Sequence, residues 1–132
     1  YICGSATVKN ICGSATVEYI YGNATVENIY DNATVEYIYG SATVENICGS
    51  ATVEYIYGSA TVKNICGSAT VKNICGSATV ENAKGMSVII GSPYGWGKKE
   101  TLILAENATF KDCQTKTIYQ SGNWELVSVG KE

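Results

Sequence analysis

The chain has 132 residues, enough for one modest domain, and a net charge of −3, so it carries no basic footprint for nucleic acid. It has no histidine, which removes the commonest general base and the commonest metal ligand. No run approaches the roughly 18 apolar residues of a membrane span, and no secretory signal is visible. Gly, Thr, Val, Ala, Tyr and Asn are plentiful, Leu is scarce and Pro occurs once, a composition that favours strands and turns over helices.

The chain opens in mid-repeat at Tyr1, without a starting methionine, and further repeats are expected upstream. Isoleucine recurs every nine residues from Ile2 to Ile74, and the period holds without insertion to residue 82. The unit reads I-[C/Y]-G-[S/N]-A-T-V-[E/K]-[N/Y], with Asp31 once replacing the glycine. Within it, A-T-V alternates in the manner of a strand with Ala and Val inward and Thr outward. Gly with Ser or Asn supplies a turn, and Ile is the third inward residue. A single unit cannot bury its apolar side alone, but stacked units can.

The ninth position sets the size of a coil. It alternates strictly from Tyr1 and Asn10 to Tyr55 and Asn64, and breaks at Asn73. A coil of two units places Asn10, Asn28, Asn46, Asn64 and Asn82 in one column, where side-chain amides can bond up the stack. The other column holds Tyr19, Tyr37 and Tyr55, placed for offset ring stacking. At roughly 4.8 Å per rung, about 4.5 coils span on the order of 22 Å. The exchange of Cys and Tyr at the position after Ile follows no such alternation and reads as tolerated variation.

The spacing I-x-x-x-A-x-V resembles the hexapeptide pattern of left-handed β-helices. The nine-residue period with two units per coil is similar to the β-roll of RTX calcium-binding repeats. Both resemblances cover residues 1–82 and imply a parallel β-solenoid. The calcium roll uses G-G-x-G-x-D, whereas here the turn has one glycine and only Asp31 supplies a turn carboxylate. Hexapeptide acyltransferases commonly use a catalytic histidine, which this chain lacks.

Along the outer surface, Thr25, Thr43, Thr61 and Thr79 form a candidate binding face, with Ser or Asn two residues before each. Such rungs resemble the threonine faces of ice-binding solenoids, although Glu or Lys two residues after each Thr crowds the face. Glutamates stack at the eighth position, a charged surface for which no metal or cofactor is expected. Five of the six cysteines share the Cys/Tyr position. Only Cys48 and Cys66 should be neighbours in one column, within reach of a bridge, and free thiols are the expectation. N-A-T sequons occur at Asn23, Asn32 and Asn107, and those in the repeat follow from Ser/Asn interchange at the turns.

Residues 83–132 lack the repeat and are expected to form a β cap over the open sheet edge of the last coil. Strands are expected over 86–90 and 101–105, and a hairpin over "TIYQSGNWELVSV" turning at residues 121–123. The stretch "MSVIIGSPYGWGKKET" is superficially like a phosphate-binding loop. Gly91 and Gly97 are separated by five residues rather than four, and Lys99 stands where Ser or Thr is required. It is expected to be a turn-rich loop, with Tyr94 and Trp96 covering the solenoid end or joining Trp124 in a contact patch.

These readings give an all-β parallel β-solenoid of 18-residue coils (residues 1–82) with a small C-terminal β cap (residues 83–132). The expected function is a non-enzymatic structural or binding module, a rigid spacer or display element such as part of a phage fibre or bacterial surface protein. A protein or glycan partner and self-association through the cap or the open solenoid end are the expected interactions. The alternatives are an ice-binding protein and a solenoid-based enzyme.

Overall fold

Nine residues of this sequence make one short strand and one corner. The computed structural model describes residues 1–121. In it Thr-Val-[Glu/Lys]-[Asn/Tyr]-Ile forms a five-residue strand in unit after unit. These are β1 Thr7–Ile11, β2 Thr16–Ile20, β3 Thr25–Ile29, β4 Thr34–Ile38, β5 Thr43–Ile47, β6 Thr52–Ile56 and β7 Thr61–Ile65. Strands β8 Thr70–Gly76 and β9 Thr79–Ala83 complete the regular array. Strands two units apart pair in parallel, with Thr on Thr, Val on Val and Ile on Ile. Odd strands therefore build one sheet and even strands the other. This is a parallel β-solenoid with an 18-residue coil.

The space between the sheets is filled by the three inward residues of each unit. Ala42, Val44 and Ile47 of one unit, and Ala51, Val53 and Ile56 of the next, are fully buried. Burying each Val or Ile contributes about 1.5–3 kcal/mol. The strand pattern is Val-x-x-Ile rather than strict alternation, so the chain bends between the two buried residues as it rounds the core.

Each corner is a four-residue turn. Ala51 N–H donates to the Cys48 carbonyl at 3.3 Å, with Gly49 at φ 64°. A Cβ on Gly49 would lie 2.7 Å from the backbone nitrogen of Asp31 in the preceding coil. Glycine is thus favoured at position 49 both by the left-handed conformation and by the close approach of stacked turns. Asp31 itself takes φ 60°, and its Oδ2 accepts the Gly13 N–H at 3.1 Å. The carboxylate binds the turn of the coil before it, which offsets the left-handed cost of about 1–2 kcal/mol. The corners are also bonded coil to coil: Ser41 N–H donates to the Gly22 carbonyl at 2.8 Å, and Ser59 N–H to the Gly40 carbonyl at 2.9 Å.

The nine-residue motif fades after residue 82, but the stacking continues. Strand β10 Val88–Trp96 pairs in parallel with β8, β11 Ile103–Leu104 with β9, and β12 Thr109–Asp112 with β10. Residues 105–108, Ala-Glu-Asn-Ala, make a further corner in which Glu106 copies Asp31. It has φ 58°, and its Oε1 accepts the Gly85 N–H at 2.8 Å. The stretch expected as a turn-rich loop is largely strand, with a register shift between Gly91 and Trp96 that takes up its extra residues. Gly91 has a packing reason: a Cβ there would lie 3.1 Å from Phe110 Cε1 on the next rung.

Thr117–Gln120 is a strand (β13), but it is the return arm of a hairpin with β12, antiparallel to it. It lies at the C-terminal edge of the even-strand sheet. The expected turn at residues 121–123 falls largely outside the described residues, as does Trp124.

Candidate functional site

The ninth position carries the Asn column on one side of the coil. Each asparagine donates its Nδ2 to the Oδ1 of the asparagine one coil earlier. The distances are 3.1 Å from Asn28 to Asn10, 3.0 Å from Asn46 to Asn28, 3.1 Å from Asn64 to Asn46, and 3.3 Å from Asn82 to Asn64. A groove runs beside this ladder, lined by Asn10, Asn28, Asn46, Tyr30 and Asp31.

The opposite side is aromatic. Tyr19, Tyr37 and Tyr55 stack with ring centroids 5.2 Å apart at each step, and Tyr1 approaches Tyr19 at 4.9 Å. The exchange of Cys and Tyr after the isoleucine is not mere variation, because Tyr21, Tyr39 and Tyr57 form a second column at 5.2 and 5.0 Å. The two columns meet edge-on at 6.1–6.3 Å. Sorting that position by eighteen rather than nine would have revealed them. Burial raises the phenol pKa of Tyr19 and of Tyr57, while Tyr1 is raised by its hydrogen bond to Glu18. At Asn73 the column ends: β6 and β8 are paired at Thr, Val and Ile but not at the Tyr55 position, and Tyr55 is left 42% exposed.

On the asparagine side the same position brings Cys48 and Cys66 together. They form a disulfide across one coil, with Cα atoms 4.6 Å apart, which corrects the expectation of free thiols for this pair. The in-register rung supplies the short Cα spacing that a bridge requires. Closing an 18-residue loop stabilises by about 3 kcal/mol in the chain-entropy account. Cys3, Cys12, Cys75 and Cys113 are free, and burial pushes the Cys75 thiol up, away from reactive thiolate.

Thr25, Thr43, Thr61 and Thr79 fall in register on successive odd strands, each half-buried. Glu27, Glu45, Lys63 and Glu81 stand two residues on, so the hydroxyl row is bordered by charge. Among the described residues no group of three or more His, Cys, Asp or Glu converges as metal ligands, and no helix is long and apolar enough to cross a membrane.

At the C-terminal end two of the three residues expected as a contact patch, Tyr94 and Trp96, differ in exposure. Tyr94 is 93% exposed, whereas Trp96 is buried. The Trp96 indole Nε1 donates to the Ala78 carbonyl at 2.7 Å, and its ring meets Phe110 edge-on. Trp96 therefore covers the core, and Trp124 is outside the described residues. Nearby, Lys99 Nζ pairs with the buried Asp112 Oδ2 at 2.6 Å. Asp112 Oδ1 accepts backbone N–H groups from Gln114 and Thr115, so the carboxylate is fully engaged. Lys99, Glu100, Leu102, Leu104, Phe110 and Tyr119 line an open pocket of about 340 Å³. Its lysine is already paired with Asp112, and the recess has a mixed lining, with Glu100 beside Leu102, Leu104 and Phe110.

Compared with family models, with curated proteins and with solved structures, the chain matches none.

Proposed function

We propose that the chain is a non-enzymatic structural or binding module: a rigid β-solenoid spacer or display element of the kind found in phage fibres and bacterial surface proteins. The observation that carries this reading is the unbroken 18-residue register from β1 to β9. Such a body changes length by whole coils without altering its cross-section, which is what a spacer requires. Its threonine row runs unbroken along the odd strands but is bordered by charge. A protein or glycan partner on the exposed columns and a place at a virion or cell surface belong to this reading.

Insertion of a second copy of residues 19–36 directly after Glu36 tests it. The join preserves both columns and the Cys48–Cys66 pair. The expected result is a folded chain longer by one rung, about 4.8 Å, by small-angle scattering. Loss of folding, or of cooperative thermal unfolding, would count against a modular spacer. The competing ice-binding reading rests on the Thr register; thermal hysteresis in concentrated solution would favour it, and normal ice growth is expected.

A further inference from the structure

The spacer reading gives the tyrosine columns no role beyond packing. Tyr37 stacks on Tyr19 and on Tyr55 at 5.2 Å, with ring planes within 14° of parallel. Tyr39 stacks on Tyr21 at 5.2 Å and on Tyr57 at 5.0 Å, with planes within 7°. The parallel ladder holds the first set in place, since Tyr19, Tyr37 and Tyr55 are direct register partners. All six side chains are partly open to solvent, so a one-electron oxidant can reach them. Glu18, Glu36 and Glu54 precede the first column on the same strands and offer bases beside the phenols. Across the coil, Cys48 and Cys66 are already joined oxidatively over the same 18-residue step.

We propose that the paired tyrosine columns are a site of oxidative modification, at which hydrogen peroxide, acting through a peroxidase, joins stacked tyrosines of successive coils as dityrosine. Each phenol of a pair loses one electron to the oxidised peroxidase and its proton to solvent or a neighbouring carboxylate. The two phenoxyl radicals couple through a carbon ortho to each oxygen. The two ortho hydrogens then move to the oxygens and restore both phenols. In sum, two tyrosines and one hydrogen peroxide give one dityrosine and two waters. Fixed stacking makes this coupling intramolecular, with the advantage of proximity and orientation. The links would fasten coil to coil on one side, as the disulfide does on the other.

The test treats the dilute full chain with a haem peroxidase and hydrogen peroxide, reading dityrosine fluorescence and cross-linked peptides by tandem mass spectrometry. Intrachain links Tyr19–Tyr37, Tyr37–Tyr55, Tyr21–Tyr39 and Tyr39–Tyr57 are expected. The fully exposed Tyr94 and the lone Tyr30 are internal controls, because both stand outside these stacks. Tyr37→Phe keeps an aromatic ring in the column; it should remove the two Tyr37 links and leave those of Tyr39 undiminished. Tyr94→Phe should leave the yield unchanged. Absence of dityrosine, products dominated by Tyr94, Tyr30 or interchain links, or the same link pattern from urea-unfolded chain would each overturn the proposal.

Discussion

Asn46 shows how one side chain can set the size of a coil. Its Nδ2 donates to Asn28 and its Oδ1 accepts from Asn64, so both ends of the amide are used only if asparagine recurs every 18 residues. Asn46→Ala leaves a half-buried acceptor on Asn28 and a donor on Asn64. A loss of about 1–3 kcal/mol is expected, read from the urea midpoint. A variant as stable as the parent would mean that water replaces the ladder at no cost. The alternation of Asn and Tyr made this contact legible in sequence. The second tyrosine column was not, because Cys3 and Cys75 bracket it and a nine-residue reading mixes it with the cysteines of the other side. Gly91 was equally opaque: its small size matters only because Phe110 lies on the next rung.

At the scale of elements, β10 to β12 show how a solenoid continues after its repeat has decayed. The pairing needs backbone in register and apolar residues facing inward, and Ile89, Ala108 and Phe110 supply the latter without the consensus. The bulge before Trp96 absorbs the additional residues that conceal the period. The Lys99–Asp112 pair ties the short 3₁₀ turn Lys99–Thr101 to the end of β12. Its hydrogen bond from Lys99 holds the Asp112 carboxyl below its ordinary 3.8, and the same bond raises Lys99 above 10.5. The contribution of Asp112 is complete above its ordinary pKa and is lost as pH falls through the lowered one. That of Lys99 is complete below its ordinary pKa and is lost as pH rises through the raised one. Thermal melts of Asp112→Asn against the parent check this. The variant should be less stable at neutral pH, and the gap should close in acid. A gap independent of pH would show that the pair contributes no charge interaction.

At the scale of the whole molecule, the described residues include few loops in the ordinary sense, because the corners bond to one another as the strands do. Asn23, Ser41 and Ser59 donate backbone N–H groups to the glycine carbonyls one coil earlier, at 2.8, 2.8 and 2.9 Å. Thr25, Thr43 and Thr61, at the strand starts, donate to Ala carbonyls at 2.9 Å. Native-state hydrogen exchange should therefore find these corner amides as slow as the strand amides two residues on, although corner residues are exposed. Fast exchange confined to the corners would mean that the coil opens there and that the body is less rigid than a spacer requires.

The sequence by itself determined the coil and its contents. A period of nine with alternating Asn and Tyr admits a two-unit coil, and Ala, Val and Ile name the inward side, because strand geometry is local and the repeat multiplies it. What the tertiary structure decided lies between coils or beyond the repeat. It decided the Cys48–Cys66 bond, the second tyrosine column, the burial of Trp96 and the continuation of the stack to Asp112. Each depends on which residues eighteen or more apart come to share a column, and on how a bulge shifts that register once the period is lost. Where no regular alternation marks it, as it marks the asparagine ladder, a contact between coils has no local signature in the chain, and stacking had to reveal it.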